Sequence, residues 1–166
     1  MKVKIGHHNI DVYSISDQEY LELNSEHKLV TNLKYARSRH ILEKQQIKDI
    51  KNEYHYSISH TRTASAVAFS KNKNIGLDIE ALHRNMSTRL KQRLNKKSKK
   101  LDLSELELWC LMESTYKSKN LKSGEDFISY NFIRSGDTFI LKDNRLEIGS
   151  KVFCHNELIY SVSVYL

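Results

Sequence analysis

The alternation of hydrophobic and polar residues divides the chain into helical segments and strand-rich segments. Over residues 17–50, apolar residues such as Leu29 and Leu33 recur at intervals of three and four, which predicts one or two helices. The period changes to two in the stretches YHYSISH, ASAVAFS and IGLDIE, and polar residues that can turn the chain separate these stretches. The pattern therefore predicts a three-stranded antiparallel meander over residues 56–80.

A further helix and a second group of strands follow. Ser104 and Glu107 have the S-x-x-E spacing of a capping box, which predicts that a helix begins there and runs over residues 105–119. The chain beyond this helix has strand character in FISYNFIR, TFILK, RLEIGSKVFCH and LIYSVSVYL. In the last of these, apolar residues alternate with Ser161 and Ser163, so we expect the preceding helix to cover one face of that sheet.

Length and composition limit the class of protein. The 166 residues, 39% of them hydrophobic, suffice for one compact domain or two small subdomains. No segment approaches the ~18 consecutive apolar residues of a membrane span, and the opening residues lack the apolar run of a signal peptide. We therefore expect a soluble, cytoplasmic protein. Cys110 and Cys154 have no paired spacing, so neither a disulfide framework nor a zinc knuckle is indicated.

The net charge of +7 indicates an anionic partner. Charge alone does not decide between nucleic acid, a membrane, a phosphorylated small molecule and an acidic protein. Much of this charge lies in RLKQRLNKKSKK, from Arg89 to Lys100. We interpret that segment as a solvated helix end and loop rather than a dedicated binding arm. No aromatic residue is interleaved with these cations, which argues against base stacking on nucleic acid.

Candidate chemistry begins with paired carboxylates in the stretch IGLDIE. Asp78 and Glu80 point to the same side of a strand, with Cα atoms roughly 6.6 Å apart at ~3.3 Å per residue. A half-exposed strand that faces water is one interpretation, but after Gly76 two like charges repel unless a cation lies between them. Mg²⁺ takes such oxygen ligands. Glu113 on the predicted helix is a third candidate, although with Lys117 it could also form a surface ion pair.

Taken in order, SISH, IGLDIE and W-x-x-x-E-x-x-x-K resemble the motifs of the 4′-phosphopantetheinyl transferase superfamily. The similarity is to its single-chain type, which activates surfactin-synthetase-like carrier proteins, and it covers the chain from about Tyr56 to Lys117. It implies that Asp78, Glu80 and Glu113 hold Mg²⁺ against the pyrophosphate of coenzyme A. The implied reaction moves the phosphopantetheine arm onto a serine of an acyl or peptidyl carrier protein and releases 3′,5′-ADP.

The resemblance also implies roles for single residues. Glu113 would take the serine proton, directly or through water, and Lys117 would stabilise the phosphate. His60 would contact a phosphate of coenzyme A, with Ser59 adding hydrogen bonds.

Two arginines, Arg37 and Arg39, resemble those that family members use for the phosphates of coenzyme A. Arginine suits such oxygens because its planar guanidinium donates two parallel hydrogen bonds. The sequence does not decide which of the two points inward. It is equally compatible with both arginines lying on a solvated helix face.

The resemblance further implies an α+β fold of two similar halves related by a pseudo-two-fold axis, each a long helix packed on a small antiparallel sheet. The halves would be residues 1–80 and 81–166, together one compact domain, with coenzyme A between them and a monomer sufficient for activity. Carrier proteins present an acidic helix beside the modified serine, so a basic enzyme surface would attract them.

The chain departs from the family pattern in three respects, one of which is a short N-terminal half. Met112 stands where members usually have a lysine, and SKNLKSGED replaces a glycine-rich K-x-x-G-x-G-L after the helix. These departures support an alternative, a catalytically impaired carrier-protein or nucleotide-binding module on the same fold. A basic nucleic-acid-binding protein is a further alternative, which a steep salt dependence of binding would favour.

Overall fold

The computed structural model describes residues 1–24, 32–45, 54–71, 74–119, 126–143 and 146–166. Within these ranges the chain forms four α-helices and two antiparallel sheets, which confirms the α+β class. A turn of 3₁₀ helix spans Phe127–Ser129. The helices are α1 (Asp17–Leu23), α2 (Leu33–Lys44), α3 (Thr88–Leu101) and α4 (Glu105–Ser118). The strands are β1 (Lys2–Ile5), β2 (His8–Ser16), β3 (His55–His60), β4 (Ala64–Ser70), β5 (Ile75–Ala81), β6 (Phe132–Ser135), β7 (Thr138–Asp143), β8 (Leu146–His155) and β9 (Leu158–Tyr165).

Most predicted elements are present, with some changes of extent. Two helices, α1 and α2, lie in the segment over residues 17–50, of which residues 25–31 and 46–50 fall outside the described ranges. Helix α4 begins at the predicted capping box, in which the hydroxyl and carboxylate of Ser104 and Glu107 each bond the other's backbone N–H. The strand predicted in FISYNFIR begins only at Phe132.

The strand order corrects the predicted meander over residues 56–80. The first sheet has the order β1-β2-β4-β3, and the second has the order β5-β9-β8-β7-β6. Strand β5 pairs with β9, where Asp78 lies opposite Ser161, and not with β4. The short connection after β4 suggested a hairpin between β4 and β5, and this prediction was wrong. Strand β5 is buried along almost its whole length and pairs instead with β9, the last strand of the chain.

The two sheets meet where β3 lies beside β5. The backbone N–H of Leu77 donates to the Ser57 hydroxyl at 2.9 Å. Two residues along each strand, the N–H of Ile79 donates to Ser59 at 3.2 Å. Serine side chains thus accept the bonds that a neighbouring strand's carbonyls would accept in a continuous sheet. The motifs SISH and IGLDIE therefore lie side by side.

One hydrophobic core is shared by both sheets. The apolar faces of β1, β2 and β4 pack against those of β5 and β9, so this core buries residues from both ends of the chain. The residues fully or almost fully buried there include Ile5, Ile10, Val12, Ala66, Ala68, Leu77, Ile79, Tyr160, Val162 and Val164.

The opposite face of the second sheet lies under α4, and it is the face that carries the serines. Three hydroxyls of the sheet meet two of the helix, and all are completely buried. The oxygens of Ser114 and Ser163 are 2.7 Å apart, as are those of Ser150 and Ser163. We call this group the hydroxyl cluster; its members are Ser114, Thr115, Ser150, Ser161 and Ser163.

The basic segment from Arg89 to Lys100 lies entirely within a helix, so the interpretation as a helix end and loop is wrong. Helix α3 begins after Ser87, whose side chain accepts a hydrogen bond from the N–H of Leu90. Leu94 and Leu101 are buried on its inner side, in a second core that also contains residues of α4 and β6–β8. These apolar residues recur at helical spacing, so they form one face of α3, and the burial of that face stabilises the helix. Among the described residues, no helix combines the length and apolar character needed to cross a bilayer.

Candidate functional site

The candidate site lies where β5 meets α4, and a glycine brings these elements together. A Cβ atom on Gly76 would lie 1.8 Å from the carbonyl oxygen of Ser114, so the helix backbone rests directly on the strand. Two residues along β5 on the same side is Asp78. Glu113 and Lys117 belong to the part of α4 that this contact holds against the strand. The close approach is therefore what places groups of the helix beside Asp78.

Asp78 is almost completely buried, with 3% of its surface exposed. Its Oδ1 accepts hydrogen bonds from the Ser59 hydroxyl at 2.9 Å and from Lys117 Nζ at 2.7 Å. Its Oδ2 is also buried and has no hydrogen bond of normal geometry among the described residues, although the Cys110 thiol and the Glu113 carboxyl both lie close enough to interact with the Asp78 carboxylate. Leaving a buried carboxylate oxygen without a donor is energetically costly, and it is typical of a position that a ligand completes.

Glu113 lies close enough to Asp78 for the two charges to interact. Burial, and then the negative charge of Asp78, raise the pKa of the Glu113 carboxyl, while Lys117 and Arg84 oppose the rise. Lys117 Nζ is 4.0 Å from Glu113 Oε2 as well as 2.7 Å from Asp78 Oδ1. The structure therefore brings together Asp78, Glu113 and Lys117. We call Asp78 and Glu113 the acid pair.

Glu80 is the third predicted ligand, and its side chain is committed elsewhere. It is 7% exposed and forms an ion pair with Arg84, four residues along the chain. Over the residues that the structure describes, no group of three His, Cys, Asp or Glu side chains is arranged to hold a metal ion. That all three carboxylates bind one ion stays a prediction.

Two of the three predicted carboxylates nevertheless suit a magnesium ion. Mg²⁺ is commonly bound through one or two carboxylates, with water and substrate phosphates completing its octahedron. Asp78 Oδ2 and the Glu113 carboxylate would supply two such ligands. Burial first, and then repulsion from Asp78, raise the pKa of Glu113, and a bound cation would oppose both effects. Glu80 could join them only by leaving Arg84.

Ser59 positions Asp78 rather than offering a free hydroxyl. Its oxygen accepts from the N–H of Ile79 and donates to Asp78, and Lys117 Nζ lies 3.2 Å away. Ser59 is itself 4% exposed. The structure thus gives this predicted coenzyme ligand a second use, the orientation of the buried carboxylate.

His60, the next residue, stands among positive charges. Its Nδ1 is 2.9 Å from the Ser65 hydroxyl. Burial lowers the pKa of His60, and the charges of Arg37, Lys34 and Lys117 lower it further. The ring therefore lies near cations from two elements, α2 and α4. A concentration of positive charge of this kind favours a phosphate.

The question of which arginine points inward has a clear answer. Arg37 is completely buried, ion-paired with Asp17 and bonded to the Ser65 hydroxyl at 3.0 Å. Burial lowers its pKa despite the opposing charge of Asp17. The Arg39 side chain is 63% exposed and pairs with Glu43 at 2.8 Å. Arg37 belongs to the cationic surroundings of His60, whereas Arg39 lies on the solvated face.

Met112 and the loop after α4 are the two segments whose sequence differs from the family pattern. Met112 is fully buried in the second core, with Leu94 and Leu108, and does not face the acid pair. A lysine at this position would have to bury or redirect its charge. Most of the altered loop after α4, residues 120–125, lies outside the described ranges.

Several residues of the site were missed from the sequence. Arg84 lies four residues after Glu80, but this spacing brings side chains together in a helix and not at a strand end, so it gave no signal. Ser57 alternates with Ser59 in SISH, and that pattern could have identified it as a bridge between strands. Lys34 is brought to His60 by tertiary packing alone.

A cleft of about 410 Å³ lies elsewhere, with lining residues from β2, α1 and α2 such as Tyr13, Glu19 and His40. None of the predicted site residues lines it. Comparison with known proteins adds no assignment, since no protein-family model matches the chain and no curated protein matches it significantly. The motifs and the geometry of the acid pair are therefore the features that bear on function.

Proposed function

We propose that the protein is a magnesium-dependent 4′-phosphopantetheinyl transferase that modifies a serine of an acyl or peptidyl carrier protein. The observation that carries the proposal is the acid pair: two carboxylates from different motifs meet at the β5–α4 contact, and one of their oxygens is buried without a hydrogen-bond donor. The third motif, SISH, lies directly beside them through Ser59.

The acid pair would hold the metal, with Glu80 as a further ligand once it is released from Arg84. A magnesium ion bound there would neutralise part of the charge of the coenzyme A pyrophosphate. Asp78 is oriented for this role by the Ser59 hydroxyl and by Lys117. Lys117, which is one third exposed, is placed to turn from Asp78 to a phosphate oxygen.

The transfer itself needs one bond formed and one broken. The carrier serine oxygen attacks the phosphorus that bears the pantetheine arm, and the bond from that phosphorus to the bridging oxygen of 3′,5′-ADP breaks. The serine proton goes to Glu113, directly or through a water molecule. The raised pKa of Glu113 in the metal-free protein is compatible with a proton acceptor at this position.

The cations around His60 would bind the remaining phosphate of coenzyme A. Arg37, Lys34 and Lys117 all influence the His60 ring. Arg37 is fixed by Asp17, so it contributes mainly its charge, while the exposed Lys34 is free to move. Arg39 stays a candidate only if it leaves Glu43.

We further propose that the chain is built from two similar halves, residues 1–80 and 81–166, related by a pseudo-two-fold axis, with coenzyme A between them. Strand β5 then belongs by sequence to the first half and by pairing to the sheet of the second. In this arrangement a monomer is sufficient, and the enzyme acts in the cytoplasm.

The test is to incubate the protein with coenzyme A, Mg²⁺ and a panel of apo carrier proteins and to measure the intact mass of each carrier. We expect one carrier to gain the mass of the phosphopantetheine arm, and the gain to disappear with EDTA and with Asp78→Ala. Asp137→Ala, which removes an exposed carboxylate on the β6–β7 turn, is the matched control and should leave the gain intact. No gain with any carrier would contradict the proposal.

The alternative, a catalytically impaired binding module, has one observation in its favour. Lys117 and Arg84 already neutralise Asp78 and Glu80, so the acidic residues are partly satisfied without a metal. Such a module would bind a carrier or coenzyme A but leave the carrier's mass unchanged. Binding measured beside the mass assay separates the two.

A further inference from the structure

The two sheets differ in extent, and the second sheet continues past the outer edge of the first. Strand β1 is the end strand of the first sheet, whose order is β1-β2-β4-β3. Ile5 of β1 lies directly over β8, since a Cβ atom on Gly149 would be 2.7 Å from Ile5 Cγ2. At the other end of the first sheet, β3 packs beside β5. In the order β5-β9-β8-β7-β6, strands β7 and β6 therefore lie beyond β1, on its open side.

The projecting part of the second sheet presents an apolar row on the side of β1. Phe139 and Leu141 of β7 belong to the second core, on the side of α4. Ile140 lies between them and so points to the opposite side, where β1 packs. It is paired with Gly149 on β8 and with Ile133 on β6, and Ile133 is 58% exposed. We call this row, Ile140 and Ile133, the apolar floor.

The outer edge of β1 has backbone groups that can bond one more strand. The N–H of Val12 donates to the carbonyl of Met1 at 2.8 Å, so these two residues form a hydrogen-bonded pair at the start of the β1–β2 ladder. Bonded and non-bonded pairs alternate along an antiparallel ladder. Lys2 and Lys4 occupy non-bonded positions, so their N–H and C=O groups point away from β2. In the described part of the chain, no backbone group bonds them.

The space beside this edge is a cleft of about 500 Å³, whose lining includes the first four residues and Phe153 of β8. Neighbouring strands lie about 4.8 Å apart and stacked sheets about 10 Å apart, so an extended chain paired with β1 would lie in this cleft and above the second sheet. Val3 faces the second sheet, whereas Lys2 and Lys4 are exposed on the outer face. The side chains of an added strand would therefore alternate between the apolar floor and the outer face that carries the lysines.

The charge of this edge favours an acidic partner. Lys2 and Lys4 are exposed, and neither forms an ion pair in the described ranges, although Lys2 lies opposite Asp11 on β2. Asp137, the acidic residue in the lining of the cleft, is paired with Lys151. Opposite charges directly across two strands stabilise their pairing, and like charges oppose it. A second copy of β1 would bring lysine against lysine, so these edge lysines disfavour self-association but not an acidic strand.

We propose that the edge of β1 docks an extended segment of another polypeptide in which acidic and apolar residues alternate. The segment would pair with the outward N–H and C=O groups of Lys2 and Lys4 and become a fifth strand of the first sheet. Its acidic residues would lie opposite the two lysines, and its apolar residues would cover the apolar floor. This docking edge lies on the side of the second sheet opposite α4, so it shares no residue with the acid pair and does not depend on the proposed function.

The test uses a fluorescein-labelled peptide of seven residues in which glutamate alternates with valine, and a reference peptide with lysine in place of glutamate. Affinities for the full chain are measured by fluorescence anisotropy. Lys4→Pro removes the outward N–H of Lys4, which β2 does not use, and proline is tolerated at such edge positions. Lys4→Gln removes the same charge but keeps the N–H. We expect Lys4→Pro to lose at least tenfold in affinity for the glutamate peptide and Lys4→Gln no more than about fivefold.

A charge swap and a floor variant complete the test. The double variant Lys2→Glu with Lys4→Glu keeps the backbone of β1 intact, so it decides the question even if Lys4→Pro alters the fold. We expect it to prefer the lysine peptide, whereas the wild type prefers the glutamate peptide by at least tenfold. Ile133→Ser should weaken binding of the glutamate peptide at least threefold. Leu146→Ser alters an exposed apolar side chain of β8 on the α4 side, and as the control it should leave binding unchanged.

No saturable binding of the glutamate peptide by the wild type would overturn the proposal, and so would equal losses in Lys4→Pro and Lys4→Gln. An unchanged preference after the charge swap would overturn it as well, because the lysines would then not face the partner. A wild-type dimer in analytical ultracentrifugation that Lys4→Pro dissociates would assign the edge to a second copy instead. Transfer activity without peptide binding would overturn the docking edge and leave the proposed function standing.

Discussion

Helix α4 meets the second sheet through two polar regions that differ in how well they are satisfied. In the hydroxyl cluster, neutral groups from the helix and sheet bond one another at 2.7–3.3 Å and are completely buried. At the acid pair, which belongs to the same contact, charged groups repel each other and one buried oxygen has no donor among the described residues. The hydroxyl cluster is satisfied by its own groups, whereas the acid pair leaves one buried carboxylate oxygen without a hydrogen bond of normal geometry.

This difference is the one expected between a structural polar network and a ligand-binding site. A buried network in which each group has a partner stabilises one arrangement of helix and strand. A buried carboxylate pair without full compensation costs stability, and proteins retain such pairs mainly where function requires them. The contact at Gly76 serves both regions, because it sets the distance between α4 and the sheet.

The largest effect is expected from closing the space at Gly76. In Gly76→Ala the new methyl group would overlap the backbone of Ser114 and Ser118, which cannot move without displacing α4. We expect a loss of at least about 3 kcal/mol in the free energy of unfolding, at the upper end of overpacking effects, measured by urea denaturation. Gly136→Ala is the control: it meets no atom within 4 Å and should cost only about 1 kcal/mol for its positive φ. Similar losses in both would contradict the close contact.

The hydroxyl cluster gives the next largest effect. Ser163 contacts Ser114, Thr115 and Ser150, so Ser163→Ala leaves several buried hydroxyls with fewer partners. We expect a loss of about 1–3 kcal/mol in the free energy of unfolding, with metal binding retained. Ser161, whose side chain contacts Ser114, provides a graded comparison, and Ser161→Ala should cost less. If Ser161→Ala costs more than Ser163→Ala, the cluster does not work as described.

The acid pair should respond in the opposite direction. The surroundings of Glu113 destabilise its charged form, so Glu113→Gln should not destabilise the metal-free protein. We expect the free energy of unfolding to stay the same or to rise by less than about 1 kcal/mol, because partial exposure to solvent screens the effect. The same change should abolish metal binding. Glu22→Gln, on the exposed side of α1, is the control and should change neither. A clear loss of stability in Glu113→Gln would show that the carboxylate is structural.

The pH dependence of stability tests the same point without metal. The folded state binds the Glu113 proton more tightly than the unfolded state, because its pKa is raised above the ordinary value of 4.5. The free energy of unfolding should therefore fall as pH rises from 4.5 through the raised pKa. In Glu113→Gln this component of the fall should be absent, which denaturation in EDTA at a series of pH values will reveal. Identical profiles in both proteins would contradict the raised pKa.

Local signals in the sequence predicted much of this structure. The capping box at Ser104 located the start of α4, because its two hydrogen bonds join residues only three apart. Alternation located β3, β4 and β5, and placed Asp78 and Glu80 on one side of a strand. The inward direction of Arg37 also had a signal, since it shares a helix face with Leu33 and Ile41, four residues away on either side.

Other features depend on contacts between distant parts of the chain. The pairing of β5 with β9 was not predictable from alternation, because the same pattern is satisfied beside β4. The bond between Ser59 and Asp78 arises from the junction of two sheets, and the Arg84–Glu80 pair arises from the turn that follows β5. In each case the local sequence predicts an element, and tertiary packing decides which side chains meet.

The smallest effect tests whether resident cations compete with the metal. Arg84 holds Glu80 and also lowers the pKa of Glu113, so its charge opposes a divalent cation at the acid pair. Arg84→Gln should therefore bind Mn²⁺, a probe for the proposed magnesium site, about threefold more tightly by calorimetry, since a partly exposed ion pair contributes only about 0.2–1 kcal/mol. Arg39→Gln removes an arginine with the same four-residue spacing to a glutamate, on the exposed face of α2, and should leave the affinity unchanged. If Arg84→Gln binds Mn²⁺ more weakly while Arg39→Gln does not, Arg84 holds Glu80 in place for the metal. The acid pair would then be preorganised for the ion by Arg84 rather than blocked by it.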